Sequence, residues 1–165
     1  MADVIGTDRL ILRRARMGDL GSIHAIMSDP ATMRYWSTPP HRSVSESERW
    51  LRSMVDADPA VSDDFILEFG GAAIGKLGCW KLPEIGFLLS REKWGEGLAG
   101  EALTAFLKRR RQLAPTMALM ADVDPRNCSS LKLLKRHGFT ETGSARGTWV
   151  VGGEQCDSVY LEWTP

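Results

Sequence analysis

The sequence predicts a mixed α/β (α+β) domain over residues 1–165, with about seven strands in one sheet and helices on both faces. Three observations predict it. Gly70-Gly71 and Gly152-Gly153 each separate two β-favouring runs, which signals hairpins. A helical repeat over 98–113 lies between two strand-like runs, which signals a crossover to a parallel neighbour. No internal repeat, low-complexity segment or linker divides the chain, and 43% hydrophobic residues in 165 suffice for one core.

The elements follow in order. Arg9 to Arg14, RLILRR, fits an opening strand. Leu20, Ile23, His24, Ile26 and Met27 recur at helical spacing behind Asp19, and Asp29-Pro30 ends that helix. After Pro39-Pro40, Ser45 and Glu48 fit a capping box ahead of Trp50, Leu51, Met54 and Val55 on one helical face. Phe65 to Phe69, Ala72 to Trp80 and Glu84 to Leu89 read as strands. The third helix, from about Leu98 to Leu113, buries Ala99, Ala102, Leu103, Phe106 and Leu107, and Pro115 breaks the chain. Met117 to Val123 reads as a strand, the DPRN of 124–127 as a turn, and a short helix starts at Ser129 or Ser130 and is closed by Gly138. Thr148 to Val151 and Asp157 to Trp163 form the closing hairpin.

Charge and cysteine content narrow the function classes. Lys plus Arg equals Asp plus Glu at 21 each, so no overall field draws nucleic acid or an anionic membrane. The KRRR of 108–111 fits a solvated helix end, where positive charge complements the dipole. Cys79, Cys128 and Cys156 form no CxxC pair, which suits a reduced compartment, and Cys128 reads as an incidental thiol rather than an acyl carrier. His24 reads as a packed residue, while His41 and His137 lack ligand partners at useful spacing, so no metal is expected. Met1 to Leu10 carries two aspartates and no cleavable apolar run, and no stretch is long enough to span a bilayer. The expectation is a cytoplasmic protein, monomer or homodimer.

The stretch REKWGEGLAGEAL, Arg91 to Leu103, puts two glycines in a turn between a strand and a helix. The first N–H groups of a helix lack internal partners, and the dipole there favours negative charge. Gly95 and Gly97 let the backbone approach an anion, and Arg91 and Lys93 add positive charge. The spacing is neither GxGxxG nor GK[ST]. On these residues alone, an anion cradle and a plain strand-to-helix connection both remain open.

A second strand, turn and helix, VDPRNCSSLKLLKRHGF from Val123 to Phe139, adds a further motif. Together with TDRLILRRARMGDLGSIHAIMSDPATMRYW at the start and EIGFLLSREKWGEGLAGEAL in the middle, it resembles the GNAT superfamily of acyl-CoA-dependent N-acetyltransferases, within it the RimJ/RimL type that acetylates ribosomal-protein N-termini. The resemblance covers nearly the whole chain and implies a mostly antiparallel sheet with acetyl-CoA as cosubstrate. The family's pyrophosphate-binding turn falls on Trp94, Gly95, Glu96, Gly97, Leu98 and Ala99, with Trp94 where Gln or Arg is usual. The backbone of Phe87, Leu88 and Leu89 is then implied to pair with the pantetheine amides in a gap between two splayed strands. Asn127 matches the Asn that helps hold this arm, and Ser130 the Ser placed to protonate the departing thiolate; both residues also suit a helix cap. The helix ends in Lys135, Arg136, His137, Gly138 and Phe139, a departure from the family's usual Glu-Lys-x-Gly-Phe.

Acyl transfer to nitrogen needs a neutral amine. An α-amine, with a pKa of about 8, requires less help at neutral pH than a lysine at about 10.4. Glu84 is the first candidate for the base that takes its proton, with an exposed strand-end residue as the alternative; Glu68 is the second candidate. Tyr35 and Trp36, in the segment of 33–42 that overhangs the acceptor by fold analogy, and Trp80 are candidates to shape the acceptor pocket, or else to pack in the core. The function expected is acetyl transfer from acetyl-CoA to a primary amine, a protein N-terminus among the options. The alternatives are a small-molecule amine such as a polyamine, amino acid or antibiotic, or a CoA-binding sensor without turnover.

Overall fold

The computed structural model describes residues 4–165. Among them run β1 (Val4–Gly6), β2 (Ile11–Arg13), α1 (Leu20–Met27), α2 (Val44–Val55), β3 (Asp63–Phe69), β4 (Ala72–Lys81), β5 (Glu84–Leu89), α3 (Leu98–Leu113), β6 (Leu119–Val123), α4 (Cys128–Arg136), β7 (Thr140–Val151) and β8 (Glu154–Trp163). The strands form one sheet in the order β1-β2-β3-β4-β5-β6-β8-β7. Every neighbouring pair is antiparallel except β5 and β6.

Eight strands replace the expected seven or so, because Val4–Gly6 pairs with β2. Three residues carry too short a pattern to stand out in the sequence. β7 begins at Thr140, eight residues before the expected Thr148. Its residues are almost all exposed, so the polar run from Thr140 to Gly147 carries no buried face for a pattern to mark. α2 is capped two residues earlier than expected: Ser43 Oγ accepts the Glu46 N–H, and Glu46 Oε2 accepts the Arg42 N–H at 2.6 Å. Asp19 does not cap α1 with its side chain but forms a two-pronged pair with Arg13, at 2.6 and 2.9 Å.

Two cores flank the sheet. α3 and α4 bury Leu98, Ala102, Leu103, Phe106 and Leu134 against Phe65, Leu67, Leu77, Ile85, Leu119 and Leu161. α1 and α2 bury Ile23, Ile26, Met27 and Leu51 against Ile66, Ala73 and Leu88 on the other face. β3 therefore alternates Phe65 and Leu67 to one core with Ile66 to the other, which explains its unbroken apolar run. Each such fully buried side chain contributes about 1.5–3 kcal/mol. On the α1/α2 side, Lys76 and Asp64 form a buried pair at 2.8 Å.

Candidate active site

β5 and β6 share a single register pair, Glu84 with Met120, fixed by the Met120 N–H donating to the Pro83 carbonyl at 3.0 Å. Beyond that pair the two parallel strands part, and a gap opens toward their C-terminal ends. Helix N-termini stand at both of those ends, α3 after β5 and α4 after β6. A crevice bounded this way, at the carboxyl ends of parallel strands, is where open α/β sheets bind ligands.

The backbone facing the gap follows from alternation. The Pro83 carbonyl points to β6, while the Ser90 N–H donates to Ile74 on β4 at 2.7 Å. Odd-numbered residues of β5 therefore turn their polar backbone groups to the gap, and even-numbered ones turn theirs to β4. Phe87 and Leu89 present backbone to the gap. Leu88 does not: its carbonyl oxygen faces Gly75, 2.2 Å from where a Cβ would stand on that glycine. The expectation for Leu88 is corrected to a packing role, its side chain buried in the α1/α2 core. The Leu89 carbonyl already accepts the Trp94 indole N–H at 2.8 Å. Trp94, where Gln or Arg is usual, thus ties the turn back to the end of β5.

After a short 3-10 turn at Arg91–Lys93, Gly95 and Gly97 take φ of +78° and +77°. Added Cβ atoms would meet nothing within 4 Å at Gly95 and only Arg9 Nη2 at 3.7 Å at Gly97, so backbone conformation, not space, requires glycine here. Gly97 is the N-cap of α3 and supplies no side-chain cap, which leaves the first N–H groups of a 16-residue helix, from Leu98 and Ala99 on, without a side-chain acceptor from the cap position. Arg9 braces the turn, with Nη1 donating to the Glu96 carbonyl at 2.9 Å and Nε paired with Glu101 at 2.7 Å. Lys93 stands 3.6 Å from the Glu96 carboxylate, and Arg91 stands 3.8 Å from Asp29. The local cations are thus partly matched by acids, and the uncapped helix terminus adds a second anion-attracting feature.

On the other side of the gap, α4 begins at Cys128, one or two residues before the expected start, because Asn127 is the cap: its Oδ1 accepts the Ser130 N–H at 3.2 Å. Ser130 keeps its half-buried hydroxyl outside that bond. Cys128 is exposed, and burial pushes the Cys79 thiol up to about 12, which makes it unreactive. Glu84 is exposed at the closed end of the gap. Glu68 lies on β3 in an ion pair with Arg13 at 2.5 Å, two strands from the gap, and leaves Glu84 as the candidate base.

Of the three aromatics expected at the acceptor pocket, Tyr35 and Trp36 lie on the chain between α1 and α2. Trp36 lies against Gly86, 3.8 Å from where a Cβ would stand, and Tyr35 lies under the Arg126 guanidinium at 5.6 Å. Trp80 is 61% exposed, at the end of β4 next to the turn into Glu84. Sequence reasoning missed Trp149, whose indole N–H donates to Asp122 Oδ2 at 2.9 Å, and the histidine pair described next. His24 and His41 both bond the buried Ser47 hydroxyl through Nδ1, at 2.8 and 2.9 Å, and so pin the α1–α2 loop. Nothing in the spacing of 24, 41 and 47 announces that convergence. Among the described residues, no group of three or more His, Cys, Asp or Glu side chains could hold a metal, and no helix is long and apolar enough to cross a membrane.

Residues 9–140 match the family model described as Acetyltransferase (GNAT) domain. The chain is 27% identical over 168 residues to an uncharacterized N-acetyltransferase of Bacillus licheniformis, covering 96% of this chain and 94% of that one. It is 31% identical over 86 residues to the [Ribosomal protein uS5]-alanine N-acetyltransferase of Escherichia coli, covering 49% and 44% of the two chains. Among solved structures, RimL, the ribosomal L7/L12 alpha-N-protein acetyltransferase, superposes with a TM-score of 0.88 at 16% identity, over 100% of this chain and 96% of that one. RimL in complex with coenzyme A superposes at 0.85. A family match over four-fifths of the chain, on a sheet parted beside an uncapped helix terminus, has one reading: the chain belongs to the GNAT acetyltransferase family and is an acetyl-CoA-dependent N-acetyltransferase.

Proposed function

We propose that this one-domain enzyme acetylates a primary amine by direct attack within a ternary complex, with a protein N-terminal α-amine as the preferred acceptor. The observation that carries the reading is the single register pair between β5 and β6, beside two helix N-termini. The pyrophosphate of acetyl-CoA binds the N–H groups at the start of α3, behind Gly95 and Gly97. The pantetheine arm lies in the gap, along the free backbone of Phe87 and the Leu89 N–H, with the Asn127 amide on the opposite wall. Tyr35, Trp36 and Trp80 line the approach of the acceptor.

Glu84, directly or through one water, accepts a proton from the incoming ammonium and leaves a neutral amine. The nitrogen then forms its bond to the thioester carbonyl carbon. As the tetrahedral intermediate collapses, the C–S bond breaks, the Ser130 hydroxyl donates its proton to the thiolate, and the proton shed by the new amide nitrogen returns through water to Ser130. Glu84 and Ser130 lie on different walls of the gap, which suits groups serving the incoming and the departing partner. An α-amine, with a pKa of about 8, gives up its proton to a carboxylate more readily than a lysine at about 10.4 does.

The test is CoA release, followed with a thiol reagent, when acetyl-CoA meets a panel of N-terminal peptides, polyamines, amino acids and aminoglycosides. Release with peptides blocked at lysine but free at the N-terminus supports the reading. Release with small amines alone replaces the acceptor class, and acetyl-CoA binding with no release from a proteome-derived peptide library indicates a sensor.

A further inference from the structure

The acceptor side of the gap is crossed by the loop joining α1 to α2, and three contacts fix its path. Trp36 rests against Gly86 on β5. Tyr35 lies under Arg126, beyond the end of β6. Pro39 Cβ stands 4.0 Å from where a Gly152 Cβ would be, at the β7–β8 turn. The loop therefore begins on one wall of the gap and finishes on the hairpin past the other wall.

Arg126 joins these pieces. Its Nε and Nη2 grip Asp124 at 2.9 and 2.7 Å, its Nη1 reaches Glu154 at the start of β8, and its Nη2 lies 3.6 Å from Cys156 Sγ. A planar guanidinium can bond carboxylates along its edge while an aromatic ring meets its face, and a lysine ammonium cannot do both. The Trp149 bond to Asp122 fastens the same hairpin to β6 independently.

We propose that Arg126 is a positioning residue, which clasps the α1–α2 loop and the β7–β8 hairpin over the acceptor side of the gap and so selects acceptors that can thread beneath them. This inference rests on the acetyl-transfer reading above. The Arg126 side chain is 44% exposed, and solvent screening keeps ion pairs of that kind weak. The clasp is accordingly one that an acceptor can open, rather than a permanent seal.

The test compares wild type with Arg126→Ala and Arg126→Lys in hydrogen exchange, acetyl-CoA calorimetry and steady-state kinetics with the best acceptor of the panel. Arg126→Ala is expected to raise exchange about fivefold in 33–43 and 152–156, and to raise the acceptor KM by a similar factor. kcat and the acetyl-CoA Kd should stay within about twofold, and Arg126→Lys should fall between. Unchanged exchange in 33–43, a fall in kcat at constant KM, or faster exchange throughout the chain would each overturn the clasp. If wild type turns over no acceptor, the acetyl-transfer reading fails by itself, and exchange in the two segments still decides the clasp.

Discussion

Glu84 and Met120 stand opposite one another at the only register pair of β5 and β6, with Glu84 exposed at the vertex of the gap. Glu84→Gln keeps the size and the strand pairing but removes the proton-accepting carboxylate. The expected outcome is a loss of about 100-fold or more in kcat, with the acetyl-CoA Kd unchanged by calorimetry. A variant with wild-type kcat would remove Glu84 from the mechanism.

Asn127 and Ser130 share one hydrogen bond but separate on mutation. The cap uses the Ser130 backbone N–H, so Ser130→Ala leaves stability intact and slows only the chemical step in single-turnover measurements. Asn127→Ala removes the cap, costs about 1 kcal/mol in denaturant unfolding, and weakens acetyl-CoA binding. Equal stability losses in both variants would argue that Ser130 serves structure alone.

Gly97 holds φ at +77°, and a Cβ there would meet only Arg9 Nη2, at an ordinary contact distance of 3.7 Å. Gly97→Ala therefore costs about 1–2 kcal/mol from backbone strain and weakens acetyl-CoA binding through displaced N–H groups. Gly97→Glu adds a negative charge at the helix start and is expected to abolish binding. Unchanged affinity in the Glu variant would refute the phosphate assignment.

His41 supplies a pH dependence. Burial holds its imidazole below the ordinary 6.5, with the Glu46 carboxylate opposing and His24 reinforcing the shift. A group that resists protonation when folded contributes stability that is present above pH 6.5 and is lost as pH falls through its lower folded value. The His24–Ser47–His41 anchor should loosen over that acid range. Protection of the His41 amide, which donates to Met27, should fall below pH 6.5 when exchange is taken relative to its intrinsic rate at each pH, and Ser47→Ala should diminish the difference between pH 7 and the acid range.

The order of the larger elements was legible because burial writes itself into periodicity. Phe65, Ile66 and Leu67 had to be interior, and Leu98 to Leu113 had to present one apolar face. β1 and the first half of β7 escaped because both lie at sheet edges, where few side chains face a core. Two overlapping Ser-x-x-Glu patterns, from Ser43 and from Ser45, offered equal capping chemistry, and only the structure shows that the earlier one is used. The glycine turn was readable because positive φ demands a particular residue. The Arg126 and Ser47 networks were not, since each gathers side chains from segments far apart in sequence.

The parting of β5 and β6 also bears on how the chain stays out of trouble with its neighbours. A free strand edge is a template for any other strand, and at a sheet margin it invites aggregation. β7, at such a margin, is interrupted by register shifts that spoil a continuous template. The free edges of β5 and β6 instead face each other inside one sheet, flanked by β4 and β8. A foreign sheet cannot extend from an edge that already has neighbours on both sides, whereas a single extended chain can pair within it. The protein thereby keeps hydrogen-bonding backbone ready for a partner while withholding it from self-association.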